Sequence, residues 1–305
     1  MRTNPEQQFS SNWAGGLLAS EREIPPMTTA ADTATRPGRH PLHRFVPFSF
    51  RVFLRRRLRD WQDFRSPEIL AATRGARADH PVPVTEKSSP LKREVPGGLA
   101  AHIEEKTHNL RLAAARLNGL LIRPGETFSF TRTIGPTTRR RGYRPALEFR
   151  DGRAVTAIGG GLCQLANLIV LLGIEAGLEI TERHRHSLDL FPDADRTAPF
   201  GCGATVFYNH VDLRLRNPHG YALLLEAAVE PPVCRAAMVC AVAEPRRCRM
   251  VETDHEFVKV NGVIRRRNRL WRECDDGTGV RRELLCDNDC RVVYPAEHLV
   301  TRTEP

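Results

Sequence analysis

Ile158-Gly159-Gly160-Gly161-Leu162-Cys163-Gln164-Leu165-Ala166-Asn167 is the stretch on which the reading of the chain turns. Three glycines close a strand-like segment, and a cysteine opens an apolar run that stops at Gly177. Leu162, Leu165, Leu168, Ile169, Val170, Leu171 and Leu172 leave that run little polar surface. This predicts a helix buried on most sides. A thiol in its first turn would feel the positive end of the helix dipole, which favours thiolate. Glycines carry no Cβ and let another group come close to the backbone.

Downstream, residues 179–190 read as a strand carrying Arg183-His184-Arg185-His186-Ser187. A thiol nucleophile needs a lowered pKa, a base in reach and a group that orients the base. The candidates are Cys163 as nucleophile, His186 as base with His184 as its rival, and Asp189 or Asp212 as orienter. Backbone N–H groups from Gly161 to Gln164 would supply an oxyanion hole. Two plainer readings stay open. Cys163 could be a buried cysteine acting as a small hydrophobe. The glycine run could hold an anion on helix N–H groups, with Gly159, Gly160, Gly161, Gln164, Arg183 and Ser187 as binding candidates. The run lacks the Gly-Lys-Ser/Thr of a phosphate-binding loop, which argues against nucleotide hydrolysis.

Upstream, residues 1–38 are polar, lack apolar periodicity and read as disordered. Residues 39–98 divide into a basic amphipathic helix and a linker from 71 onward, rich in Pro, Gly and charge. In the helix, Phe50, Phe53, Leu54, Leu58, Trp61 and Phe64 share one face, while Arg51, Arg55, Arg56 and Arg59 lie largely elsewhere. That pattern suits either a membrane-surface anchor or a helix packed on the main domain. A core follows over 99–230, beginning with a helix over 99–118. Next come a strand, a Pro124-Gly125 turn and a second strand, then a hairpin over 146–158 around Asp151-Gly152. Residues 231–305 form a β-hairpin-rich extension, with Asn261-Gly262 its strongest turn signal. Helices and strands are segregated rather than alternating, which gives an α+β class with a central buried helix on a mainly antiparallel sheet.

The chain has 305 residues, 41% of them hydrophobic, with a formal net charge of +10 carried almost wholly by arginine. Such a surface suits an anionic partner. No stretch approaches the length of a membrane span, and no secretion signal is seen. The expected location is the cytoplasm, peripheral at the inner face of the membrane. Among the eight cysteines, Cys274, Cys286 and Cys290 could hold zinc, but reduced thiols filling the β-rich part are the simpler reading. No metal or cofactor is assigned.

Several blocks, in order, resemble the VanW family: Asn109-Leu110-Arg111-Leu112-Ala113, Ile122-Arg123-Pro124-Gly125-Glu126-Thr127-Phe128-Ser129-Phe130, Gly159-Gly160-Gly161-Leu162-Cys163-Gln164-Leu165, Glu182-Arg183-His184-Arg185-His186-Ser187 and Phe191-Pro192-Asp193. Pro199-Phe200-Gly201, Gly203-Ala204-Thr205 and Val211-Asp212-Leu213 extend the likeness. The resemblance implies an accessory protein linked to glycopeptide (vancomycin-type) resistance and the cell envelope, with no defined molecular activity. With the Arg-rich surface, the expected partners are a peptidoglycan precursor or an anionic membrane surface. Nucleic acid is not expected, since no recognition module accompanies the charge. The alternative is a Cys-His thiol enzyme acting on acyl or amide bonds of cell-wall peptides.

Overall fold

The structure is a computed structural model and describes residues 48–92, 102–150, 153–185, 188–189, 198–275, 277 and 279–304. In chain order the elements are α1 (Phe48–Arg65), β1 (Val82–Pro90), α2 (Ile103–Leu117), β2 (Leu120–Ile122), β3 (Thr127–Ser129), α3 (Phe130–Ile134), β4 (Pro145–Arg150) and β5 (Arg153–Ile158). They continue with α4 (Cys163–Glu175), β6 (Glu179–Glu182), β7 (Leu188–Asp189), β8 (Arg214–Arg216), β9 (Leu223–Glu230), β10 (Val233–Cys240), β11 (Cys248–Val260), β12 (Val263–Asp275), β13 (Val280–Val292) and β14 (Arg302–Glu304). The strands make a four-stranded sheet β1-β10-β9-β2, a three-stranded sheet β3-β8-β6, the β4-β5 hairpin and a five-stranded sheet β14-β11-β12-β13-β7. All pairs are antiparallel except β11 with β14 and β13 with β7. The fold is α+β.

The apolar run after Cys163 forms α4, and nine of its residues, from Leu165 to Ile174, are buried. It packs on β1 and β10 of the first sheet and on β6 and β11, so every side meets protein. This is why its sequence shows no polar stripe. Helix α2 buries Asn109, Leu110, Ala113, Ala114 and Leu117 and packs on β9 and α3. Glu104 and Glu105 in its first turn complement the helix dipole.

Three readings need correction. The linker expected from residue 71 instead supplies β1, which pairs with β10 over Val82 to Pro90. Its two prolines are tolerated because β1 is an edge strand with a bulge after Pro83. The core sheet runs past residue 230, since β10 lies between β1 and β9. The single strand expected over 179–190 is split. Its first part, β6, pairs with β8, and its last part, β7, pairs with β13 in another sheet. The chain changes sheets between them, leaving Arg183, His184 and Arg185 irregular.

The cysteine reading also changes. Cys248 and Cys274 are direct cross-strand partners on β11 and β12, and their sulfurs form a disulfide. Cys274 is therefore not available to a zinc site with Cys286 and Cys290. The other six cysteines are free thiols, and burial pushes the Cys234 thiol up to about 11.

Candidate functional site

The glycine run is explained by packing. A Cβ on Gly160 would lie 2.1 Å from the carbonyl oxygen of Ala146 and 2.9 Å from that of Leu147, both backbone atoms. Gly159 and Gly161 have φ of +82° and +92°, a region disfavoured for other residues. The fully buried Asn109 of α2 clamps this crossing. Its Nδ2 donates to the carbonyls of Arg144 (2.9 Å) and Gly160 (3.1 Å), and its Oδ1 accepts from the Arg144 N–H at 2.9 Å. The nearby N–H groups are also engaged. Gly159 donates to Arg144, Gly160 to Ala157, Gln164 to Gly161 and Leu165 to Leu162, all at backbone carbonyls. The Gln164 side chain donates to Ser89 Oγ (2.9 Å) and to the Pro90 carbonyl (2.8 Å). It ties α4 to β1.

Cys163 is half-buried at the first position of α4. The segment after Phe200 lies over it. Asn167 Oδ1 accepts from the Ala204 N–H at 2.7 Å, and the Val206 backbone reaches the thiol. Burial pushes the Cys163 thiol up, Glu148 pushes the same way, and the Val206 hydrogen bond only partly offsets them. The helix dipole therefore does not yield the thiolate that the sequence suggested. At pH 7.4 iodoacetamide is expected to alkylate Cys163 more slowly than a free cysteine peptide, with the gap closing as pH rises above 9. Peptide mass spectrometry of residue 163 over a pH series measures this, and alkylation faster than the peptide at pH 7.4 would contradict it.

The candidate carboxylates serve contacts elsewhere in the fold. His186 and Ser187 lie outside the described residues. Asp189, on β7, is buried against Arg266 (3.3 Å) and accepts from the Tyr294 hydroxyl at 2.8 Å. Asp212, just before β8, accepts from Ser129 Oγ (2.5 Å) and from the N–H groups of Thr131 and Leu213 (2.9 Å each). Each carboxylate thus fastens a different part of the fold. Arg183 has one buried guanidinium nitrogen with no acceptor among the described residues.

The densest charged assembly is one that sequence reasoning missed, and it holds α1. Val52, Arg56, Arg59, Asp60 and Asp63 face the body of the protein and are partly buried. Arg59 binds Glu182, and Asp63 accepts from Arg132 (2.7 Å) and Arg214 (2.8 Å). Asp60 pairs with Arg132 at 2.9 Å and accepts from Asn209 at 2.9 Å. Arg214 is nearly buried and also binds Glu68 (2.6 Å) and Asp212 (3.2 Å). Burial would raise the Glu182 carboxyl, but hydrogen bonds from His184 and Arg59 overcome it and hold the group at about 2. Burial opposes ionisation of Asp63 as well, and Arg132 and Arg214 still keep it below the usual carboxylate range. The sequence signal was a polar row at 56, 59, 60 and 63, spaced to share one helix face.

The opposite face of α1 is apolar and open. Phe50, Phe53, Leu54, Leu58 and Trp61 are each about half exposed, and Phe64 is 88% exposed. Arg57 lies over the Phe53 ring and Arg65 over the Trp61 ring. A surface helix ordinarily turns its apolar face to the core; α1 does the reverse.

An α+β domain built round a buried helix, with a glycine crossing clamped by Asn109 and a charge-docked amphipathic helix, defines the class of protein. The chain belongs to the VanW family. The family described as VanW like protein matches residues 105–238. Vancomycin B-type resistance protein VanW of Enterococcus faecalis (strain ATCC 700802 / V583) is 31% identical over 196 residues, 63% of this chain and 71% of that protein. Uncharacterized protein YoaR of Bacillus subtilis (strain 168) is 31% identical over 127 residues, 41% of this chain and 39% of that protein. No solved structure matches the chain.

Proposed function

We propose that this protein is a non-catalytic accessory factor of the cell envelope in vancomycin-type resistance, working at an anionic membrane surface through the outward face of α1. The single observation that carries this reading is the polarity of α1: ion pairs inward, Phe, Leu and Trp outward. The helix is 18 residues, about 27 Å of interfacial contact. Arg55, Arg57 and Arg65 are exposed on it. Half-burying six large apolar side chains in a bilayer interface is worth about 1 kcal/mol each, and each arginine near anionic lipid adds about 1 kcal/mol. The likeness to a relative named for vancomycin resistance supports the cellular setting. No helix among the described residues is long and apolar enough to cross a membrane, so the contact proposed is peripheral.

The test is co-sedimentation with vesicles containing about one-third phosphatidylglycerol, against vesicles of phosphatidylcholine alone. Binding to the anionic vesicles is expected, with a Trp61 emission shift to the blue. Trp61→Ser with Phe64→Ser is expected to weaken it by about 30-fold, on the scale of two exposed aromatic anchors at about 1 kcal/mol each. Both side chains are exposed, so the double variant should keep the wild-type circular dichroism. Equal sedimentation of variant and wild type would remove the proposal.

A further inference from the structure

A groove of about 390 Å³ runs along α2 toward the turn between β9 and β10. We propose that it is a binding site for a free carboxylate, presented at the C-terminus of a short peptide with small side chains. This proposal does not depend on the membrane contact of α1.

Arg111 on α2 and Arg144 just before β4 both line the groove and are both exposed. Neither is paired with a carboxylate among the described residues, whereas most arginines of β12 are bound to Asp or Glu. Each guanidinium carries a planar fork of N–H donors that matches a carboxylate, and the groove offers two of them.

The wall is built rather than incidental. The backbone of Arg144 is fixed from both sides by the buried Asn109 amide, at 2.9 Å for each bond. Two residues before Arg144, the Gly142 carbonyl is hydrogen-bonded to the His108 ring at 2.9 Å. The segment bearing Arg144 is therefore held to α2 at two points, and its side chain starts from a rigid base. That lowers the ordering cost of binding.

The rest of the lining selects among anions. Ile103 and Pro231 give the groove apolar surface, and Glu104 adds an exposed carboxylate. A phosphate ion would use the arginines and leave the apolar wall and the Glu104 acceptor unused. A peptide end satisfies all three: its carboxylate meets the guanidiniums, a methyl-sized side chain meets Ile103 and Pro231, and an amide N–H meets Glu104. The volume lies at the small end of ligand pockets, which fits about two residues.

Three probes decide the matter by isothermal titration with the full chain: N-acetyl-alanyl-alanine as the free acid, the same peptide as its C-terminal amide, and inorganic phosphate. The free acid is expected to bind at least about tenfold more tightly than the amide or phosphate, the scale of one charge-assisted contact. Arg111→Gln and Arg144→Gln are each expected to weaken it by about tenfold, and Arg269→Gln on β12 to leave it unchanged. Both groove positions are exposed, so circular dichroism should match the wild type. Equal affinity for acid and amide, phosphate binding as tightly as the acid, no binding of the acid up to 10 mM, or full binding by the Arg111→Gln/Arg144→Gln double variant would each overturn the proposal. None of these outcomes bears on vesicle binding.

Discussion

Alanine at Gly160 is expected to destabilise the protein by about 4 kcal/mol, a large share of the stability of an ordinary domain. The added methyl would sit 2.1 Å from the Ala146 carbonyl oxygen, and that oxygen belongs to backbone that cannot swing aside. The β4 strand would have to move away from the glycine run. In doing so it would pull Arg144 from Asn109, whose buried amide would lose partners at 2.9 Å. Overpacking and an unsatisfied buried amide then add. Gly220→Ala is the control, because nothing lies within 4 Å of its Cβ position. Urea midpoints of the two variants test the contrast. A Gly160→Ala midpoint equal to that of Gly220→Ala would show that the crossing is not close-packed.

Methionine at Arg214 is the second large effect. The substitution keeps the apolar stem of the side chain and removes the guanidinium beside Asp63, Glu68 and Asp212, which it binds at 2.8, 2.6 and 3.2 Å. Removing one partner from a nearly buried ion-pair network costs about 3–5 kcal/mol, since the remaining charges stay desolvated. Here the strain falls on α1, which Asp63 anchors, so α1 should detach before the core unfolds. Trypsin cleavage within residues 55–59 is expected to speed up in the variant while the core circular dichroism persists. Arg269→Met, whose partners Asp254 and Asp287 are exposed, should change stability by only about 0.5 kcal/mol. Unchanged proteolysis in Arg214→Met would mean that the network does not hold the helix. The docking also has a pH window. The Glu182 carboxyl lies at about 2 in the folded protein against 4.5 for the free group. Its contribution is therefore complete above pH 4.5 and is lost as pH falls toward 2.

The parts of the fold written in local pattern could be read from the chain. The buried helix after Cys163 declared itself by continuous apolar residues. The β11–β12 hairpin declared itself by Asn261-Gly262, which takes φ of +48° and +78°. The orientation of α1 could not be read. Periodicity identified its two faces, but which one meets the core is decided by Glu182, Asp212 and Arg214, more than 100 residues away. β1 was hidden because an edge strand tolerates prolines that look like linker punctuation. At the glycine–cysteine stretch, sequence pattern suggested chemistry because Gly-rich turns before helices serve both ligands and tight crossings. Only the position of Ala146 and Asn109 distinguishes the two, and both come from elsewhere in the chain. The thiol follows the same logic: the dipole is local, whereas the burial that outweighs it is imposed by chain folded over the helix start, with the Glu148 charge adding to it.

The cross-strand disulfide on β11 and β12 has a consequence for how the C-terminal sheet can come apart. Asn261-Gly262 joins the two strands at one end, and Cys248 faces Cys274 at the other. The hairpin is therefore a closed ring of chain. Along β12, Arg266, Asn268, Leu270, Arg272 and Cys274 alternate inward, with exposed or half-buried residues between them. A slip of one residue would exchange the two rows and turn every inward side chain out. The ring forbids that slip without forbidding the sheet to breathe, so opening must begin at its outer members, β14 and β7, and move toward a centre whose alignment is already fixed.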